Sequence, residues 1–196
     1  MDILHHRLFK YLGLGFLLTF FGHFIGLWSF VSLGAVPEHG QLVIYDLFYF
    51  DHEKSLTALY ASLCLVLSGF YCLGISKIKS VLDSKYWFFL GCVMIFLGCD
   101  EWFAIHDQIN IHYGLTSVGL PMWVIIYGIA LGIFVIAYLP FLWRLPRGTQ
   151  LMIVVSGLVY VMGAAVFETL NYNPDNVFSF GFQLKLVGED GLEMLG

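Results

Sequence analysis

Long apolar stretches alternate with short polar ones along the whole chain, and several approach or exceed the roughly 20 residues that a helix needs to cross a bilayer. Five spans are predicted, from Leu8 to Leu33, Ser55 to Ser76, Tyr86 to Asp107, Gly119 to Leu142 and Thr149 to Leu170, with a sixth beginning near Phe182. Turn-forming residues punctuate the gaps, as "GAVPEHG", "SKIKSVLDSK", "WRLPRG" and "NYNPDN". The expected fold class is therefore all-α: a polytopic transmembrane helical bundle of five complete spans plus the start of a sixth, forming one domain over residues 1–196. The final "FQLKLVGEDGLEMLG" is too short to cross before the sequence stops. Either it lies at the interface or the chain is a six-helix protein truncated at its C-terminus, and truncation is the expectation adopted.

Composition agrees with that class. Hydrophobic residues make up 59% and charged residues 12%, where soluble domains carry about 25% charged residues, and the mean hydropathy is +0.82. The sidedness of the charges matters more than the net charge of -5. Arg7, Lys10, Lys77, Lys79, Lys85, Arg144 and Arg147 fall on the side of the N-terminus, leaving only Lys54 and Lys185 opposite. By the positive-inside rule the N-terminus is expected in the cytoplasm of a bacterial inner membrane. Most carboxylates, among them Glu38, Asp46, Asp51, Glu53, Asp100, Glu101, Asp107, Glu168, Asp175, Glu189, Asp190 and Glu193, sort to the far side. Polar chemistry should thus open outward.

Other features narrow the picture. The apolar stretch from Tyr11 to about Leu33 is longer than a signal h-region and reads as a retained helix. Cys64, Cys72, Cys92 and Cys99 form no C-x-x-C pair and read as small buried apolar residues. Gly22 with Gly26 and Gly128 with Gly132 are G-x-x-x-G pairs that suggest close helix packing or membrane-protein partners. Trp87, Trp102, Trp123 and Trp143 fall near span ends, as an interfacial aromatic belt would. Nucleophile elbows, phosphate loops and a basic nucleic-acid patch are absent, so no nucleic-acid partner is expected.

Candidate chemistry concentrates in "GCDEWFAIHDQINIHYG" at the end of the third span. In a continuous helix Asp100 and Asp107 would share one face, Glu101, Gln108 and His112 a second, and His106 and Cys99 a third. Gln108, Asn110 and His112 suit an interfacial loop. Asp100 and Glu101 precede the expected helix end by about two turns, where a charge costs about 2.5–3.5 kcal/mol at a helix centre and less near the surface. Simple capping accounts for Asp51 and Glu53 before the second span. It does not account for Asp100, Glu101, Asp107 and Glu168, which lie toward C-terminal ends where the helix dipole opposes negative charge.

Raised pKa values, pairing with a protonated His106 or His23, or a bound cation would each resolve this. A divalent metal such as zinc, manganese or iron suits oxygen ligands with an imidazole. Asp100, His106, Asp107, Glu168, Glu189 and Glu193 are the candidate ligands, with Glu101 as general base on a metal-bound water. His23 would hydrogen-bond within the bundle; paired with His106 as haem ligands, it would sit at a different depth.

Three patches, "YFDHEKSL", "DEWFAIHD" and "GEDGLEMLG", together resemble an uncharacterised family of small bacterial six-helix membrane proteins with a D-E-x4-H-[D/E] signature. The resemblance implies a six-helix topology and marks Asp100, Glu101, His106 and Asp107, with Glu53, Glu189 and Glu193 from the flanking patches. A looser likeness is to the membrane hydrolases that include alkaline ceramidases, which hold zinc near a membrane surface. Their His-x3-His motif is missing from residues 1–196. The functional expectation is an outward-facing carboxylate and histidine site, with a divalent metal and a lipid-like substrate for hydrolysis. Its rivals are a non-catalytic scaffold with a hydrogen-bonded acidic network and a proton or cation pathway.

Overall fold

The computed structural model describes residues 2–33, 47–48, 55–78, 83–114, 120–167, 169 and 180–196. Among these residues the fold is all-helical: α1 (Asp2–Leu33), α2 (Leu56–Ser76), α3 (Ser84–Phe103), α4 (Ile105–Tyr113), α5 (Met122–Leu142), α6 (Arg147–Val161), a π-helical segment (Met162–Phe167) and α7 (Phe180–Leu195). Four helices are long and apolar enough to cross a membrane: Leu56–Ser76, Ser84–Phe103, Met122–Leu142 and Arg147–Val166. α1 is a 32-residue helix over the first predicted span.

Local chemistry sets the boundaries. Ser55 caps α2, its Oγ accepting the Ala58 N–H at 3.1 Å and so satisfying one of the orphan donors of the first turn. α5 and α6 each begin immediately after a proline, Pro121 and Pro146, whose fixed φ suits a helix start and whose missing N–H costs nothing there. The third predicted span does not run unbroken to Asp107. α3 stops at Phe103 because Ala104 adopts the left-handed conformation (φ 47°, ψ 50°), and α4 starts afresh at Ile105. Gln108, Asn110 and His112, expected in a loop, therefore belong to a short helix.

The tightest packing joins α2 to α3. A Cβ at Gly69 would lie 2.8 Å from the Gly91 carbonyl oxygen, one at Gly91 equally near that of Gly69, and one at Gly98 2.9 Å from that of Ser62. Here the backbones touch, and the Ser62 hydroxyl donates to the Gly98 carbonyl at 2.6 Å. These are not the glycines expected from G-x-x-x-G spacing. Among the described residues nothing approaches the Cβ positions of Gly128 or Gly132, because the middle of α5 faces outward, with Ile129, Ile133 and Ile136 exposed. Gly22 does sit in a contact, against the Phe48 ring. The cysteines are free thiols, but none is fully buried and Cys92 is exposed, which corrects the expectation of a buried set.

α5 is fastened to α3 at the end remote from Asp100. Tyr138 donates to the Tyr86 carbonyl at 2.8 Å, and the buried Phe141 ring stacks on Tyr86 at 5.0 Å. Arg144 closes this end by an ion pair with Asp83 at 3.0 Å. On the other flank α7 packs chiefly on the π-helical segment, and also on α6 and α2. Its Met194 joins Ala61 in a small core with Phe16, Phe20, Tyr60 and Val187 around it. Gly163 makes that docking possible: a Cβ there would lie 2.6 Å from the Glu189 carbonyl oxygen and 2.9 Å from the Glu193 nitrogen.

Gly91→Val should therefore overpack the α2–α3 contact and cost about 1–3 kcal/mol, whereas Gly128→Ala should be nearly neutral. Thermal unfolding of both variants in detergent, beside wild type, measures the difference.

Candidate functional site

The break at Ala104 creates the site. A left-handed alanine costs about 1–2 kcal/mol, and the Asp100 carboxylate offsets it by accepting three donors. Oδ1 takes the His106 backbone N–H at 3.0 Å and the Tyr127 hydroxyl at 2.9 Å, while Oδ2 meets His106 Nδ1 at 3.1 Å. Ala104 has no side chain with which to cap α4, so Asp100 does this from the preceding helix. Its charge, only 6% exposed, lies at the N-terminal end of α4, where the dipole favours it. Asp107 occupies the first turn of the same helix. The expectation that capping explains neither residue is thus overturned for both, because it assumed one continuous helix. The same break brings His106 onto Asp100, although unbroken spacing placed them on different faces.

His106 lies in this knot, its ring 5.3 Å from Trp123 and its Nε2 3.8 Å from Asp107 Oδ1. Burial alone would lower its pKa. The Asp100 hydrogen bond and the charges of Asp107, Asp100 and Glu101 outweigh burial and hold it up at about 9, so the imidazole is a cation at neutral pH. The knot carries a balanced pair rather than a bare carboxylate.

Next to it is a cavity of about 60 Å³, to which Asp100, Glu101 and His106 contribute from the α3–α4 corner and Glu189 and Glu193 from α7. Five of the sequence-predicted site residues are thereby brought together from distant parts of the chain. The Glu101 and Glu193 side chains come within hydrogen-bonding reach of each other, and two carboxyl groups can bond to each other only through a proton carried by one of them. Glu189 is paired with Lys185 one turn earlier, at 3.6 Å. Asp107 lies 3.8 Å from His106 without lining the cavity, Glu168 lies outside the described residues, and His23, fully buried on α1, is not among the lining residues. Asp51 and Glu53, read as caps, also lie outside the described residues.

The remaining walls come from Trp123, Tyr127 and Tyr160, with Leu97 and Ala164. Sequence reasoning assigned Trp123 to the interfacial belt, yet it is 7% exposed and edge-on to Tyr127 at 5.6 Å. Its spacing from Tyr127, one turn apart at the start of a helix, was the available signal for a shared inward face. Among the described residues no group of three or more His, Cys, Asp or Glu side chains is gathered closely enough to hold a metal ion. The arrangement thus combines one ion pair, Asp100 with His106, and one close pair of carboxyl groups, Glu101 with Glu193.

Comparison with known proteins places the chain in one family. Residues 11–196 match the family described as "Domain of unknown function (DUF8692)", and the chain belongs to that uncharacterised family. No curated protein and no solved structure matches it.

The raised His106 value gives a pH signature. Its folded-state pKa of about 9 exceeds the ordinary imidazole value of 6.5, so protonation favours the folded state. That contribution is fully present below pH 6.5 and is lost as the pH rises through 9. The unfolding midpoint in detergent should fall over this window in wild type, and the fall should flatten in His106→Gln.

Proposed function

We propose that the protein is a membrane-embedded hydrolase of lipid-like substrates, with Glu101 and Glu193 as its acid–base pair. The observation that carries this reading is the convergence of Asp100, Glu101, His106, Glu189 and Glu193 on one cavity inside a bundle with apolar outer faces. Buried ionisable groups at membrane depth are costly and mark sites of chemistry. Two carboxyl groups sharing one proton in such surroundings supply a base and an acid together.

In the proposed step the ionised member of the pair takes a proton from water as the water oxygen bonds to an acyl carbon. The protonated member then gives its proton to the departing oxygen or nitrogen as the acyl bond breaks. A carboxylic acid and an alcohol or amine result, and the pair is left again with one proton. Asp100 and His106 hold the corner that positions Glu101. The distribution of Lys and Arg supports an N-terminus in the cytoplasm of a bacterial inner membrane, with the site toward the far side. The likeness to alkaline ceramidase-type hydrolases points to the same substrate class.

A second reading is favoured by the Asp100–His106 contact. A carboxylate on Nδ1 is the usual partner of a histidine that offers Nε2 to a metal. In this reading a divalent ion such as zinc, manganese or iron would draw His106 and the cavity carboxylates inward, since among the described residues no three are gathered closely enough to hold it as they stand, with Asp100 holding the ring.

General acid–base groups contribute about 10²–10⁴-fold to rate. Glu101→Gln should therefore lower hydrolysis of a fluorogenic acyl ester by at least about 100-fold while leaving the thermal midpoint close to wild type. Metal content by mass spectrometry separates the two readings. Near-stoichiometric metal, lost in His106→Ala together with activity, selects the metal centre, whereas activity that survives chelation selects the carboxyl pair. Folded wild type without turnover of any acyl substrate would sink both.

A further inference from the structure

The Trp123 indole is 7% exposed, and its Nε1 is a buried donor with no hydrogen-bond partner among the described residues. The ring forms part of the cavity wall, set between His106 at 5.3 Å and Tyr127 at 5.6 Å. Buried donors are almost always satisfied, and an orphan in a native structure calls for an acceptor. The neighbouring Tyr127 hydroxyl donates to Asp100, and its oxygen does not accept from this indole.

We infer that the cavity binds a ligand bearing a neutral carbonyl oxygen, the ester or amide group of an acyl lipid, with Trp123 Nε1–H as the donor that holds it. The charge of the walls selects for neutrality. The His106 charge in this lining is already balanced by Asp100, and Glu101, Glu189 and Glu193 remain, so a phosphate or carboxylate would bring one more negative charge among carboxyl groups. A carbonyl accepts the indole hydrogen bond without that repulsion. Leu97, Ala164 and the Tyr160 ring supply apolar wall for the carbon flanking it. About 60 Å³ accommodates the polar junction of a lipid rather than its chain. The assignment rests on the hydrolytic reading only in naming the acyl group; the binding contact stands on the unpartnered donor.

Trp123 is thus a positioning residue for ligand, and binding tests it without turnover. The full chain, labelled with ¹⁵N at its five indoles, is titrated in detergent micelles with decanamide and separately with decanoate. The Trp123 signal is identified by its absence in Trp123→Phe, which keeps an aromatic ring against His106. Decanamide should move the Trp123 indole proton downfield, while decanoate at the same concentration leaves it in place. In Trp123→Phe the His106 ring signals should respond to decanamide only at about tenfold higher concentration, as expected for one lost hydrogen bond. A Trp123 signal that decanamide does not move, or that decanoate moves equally, overturns the inference whether or not the variant folds. A displaced signal with no cleavage of acyl esters keeps the inference and defeats only the hydrolytic reading. Cleavage with an unmoved signal and an unchanged variant defeats the inference alone.

Discussion

The Asp100 carboxylate and the broken helix beside it require each other. In a straight helix a residue six positions on lies about 240° round and 9 Å along the axis, too far for an ion pair. The contact to His106 exists because Ala104 turns the chain, and the strained Ala104 persists because Asp100 collects the donors that the turn exposes. Tyr127 adds a third donor from α5 and ties this corner to a neighbouring helix. Everything downstream depends on this exchange: the place of Glu101, the charge on His106 and the wall given by Trp123.

Much of the fold was legible from hydropathy alone, because lipid imposes a length and an apolar composition on every crossing segment. The four helices able to cross a membrane fall within two or three residues of predicted spans at most of their ends. What failed was the fine register. Nothing in "EWFAIHD" announces a left-handed alanine, since the residue that stabilises it lies four positions earlier and acts through its side chain. Close-packing glycines were equally hidden. Gly69, Gly91 and Gly98 lack G-x-x-x-G spacing, and only the crossing of two helices reveals them.

The candidate site was legible in kind and partly in membership. Carboxylates at membrane depth stood out because their cost was calculable, and Asp100, Glu101, His106, Glu189 and Glu193 do meet. Their roles did not follow, since counting at 100° per residue fails wherever the winding changes. That happens at Ala104 and again in the π-helical segment Met162–Phe167, so Glu168 cannot be given a face by counting from Tyr160. The aromatic members were overlooked because Trp and Tyr near a span end have a common alternative use at the lipid headgroups.

The short separation of Asp100 from His106 bears on how the protein enters the bilayer during synthesis. An ion pair between residues six apart needs no other helix, so Asp100 and His106 can form a unit of zero net charge as their own segment leaves the ribosome. Tyr127 and then Glu193 arrive later, because they are synthesised later. The local contact thus lightens the electrostatic load on membrane insertion before the bundle is assembled. Glu101 meets Glu193 only once α7 has been made.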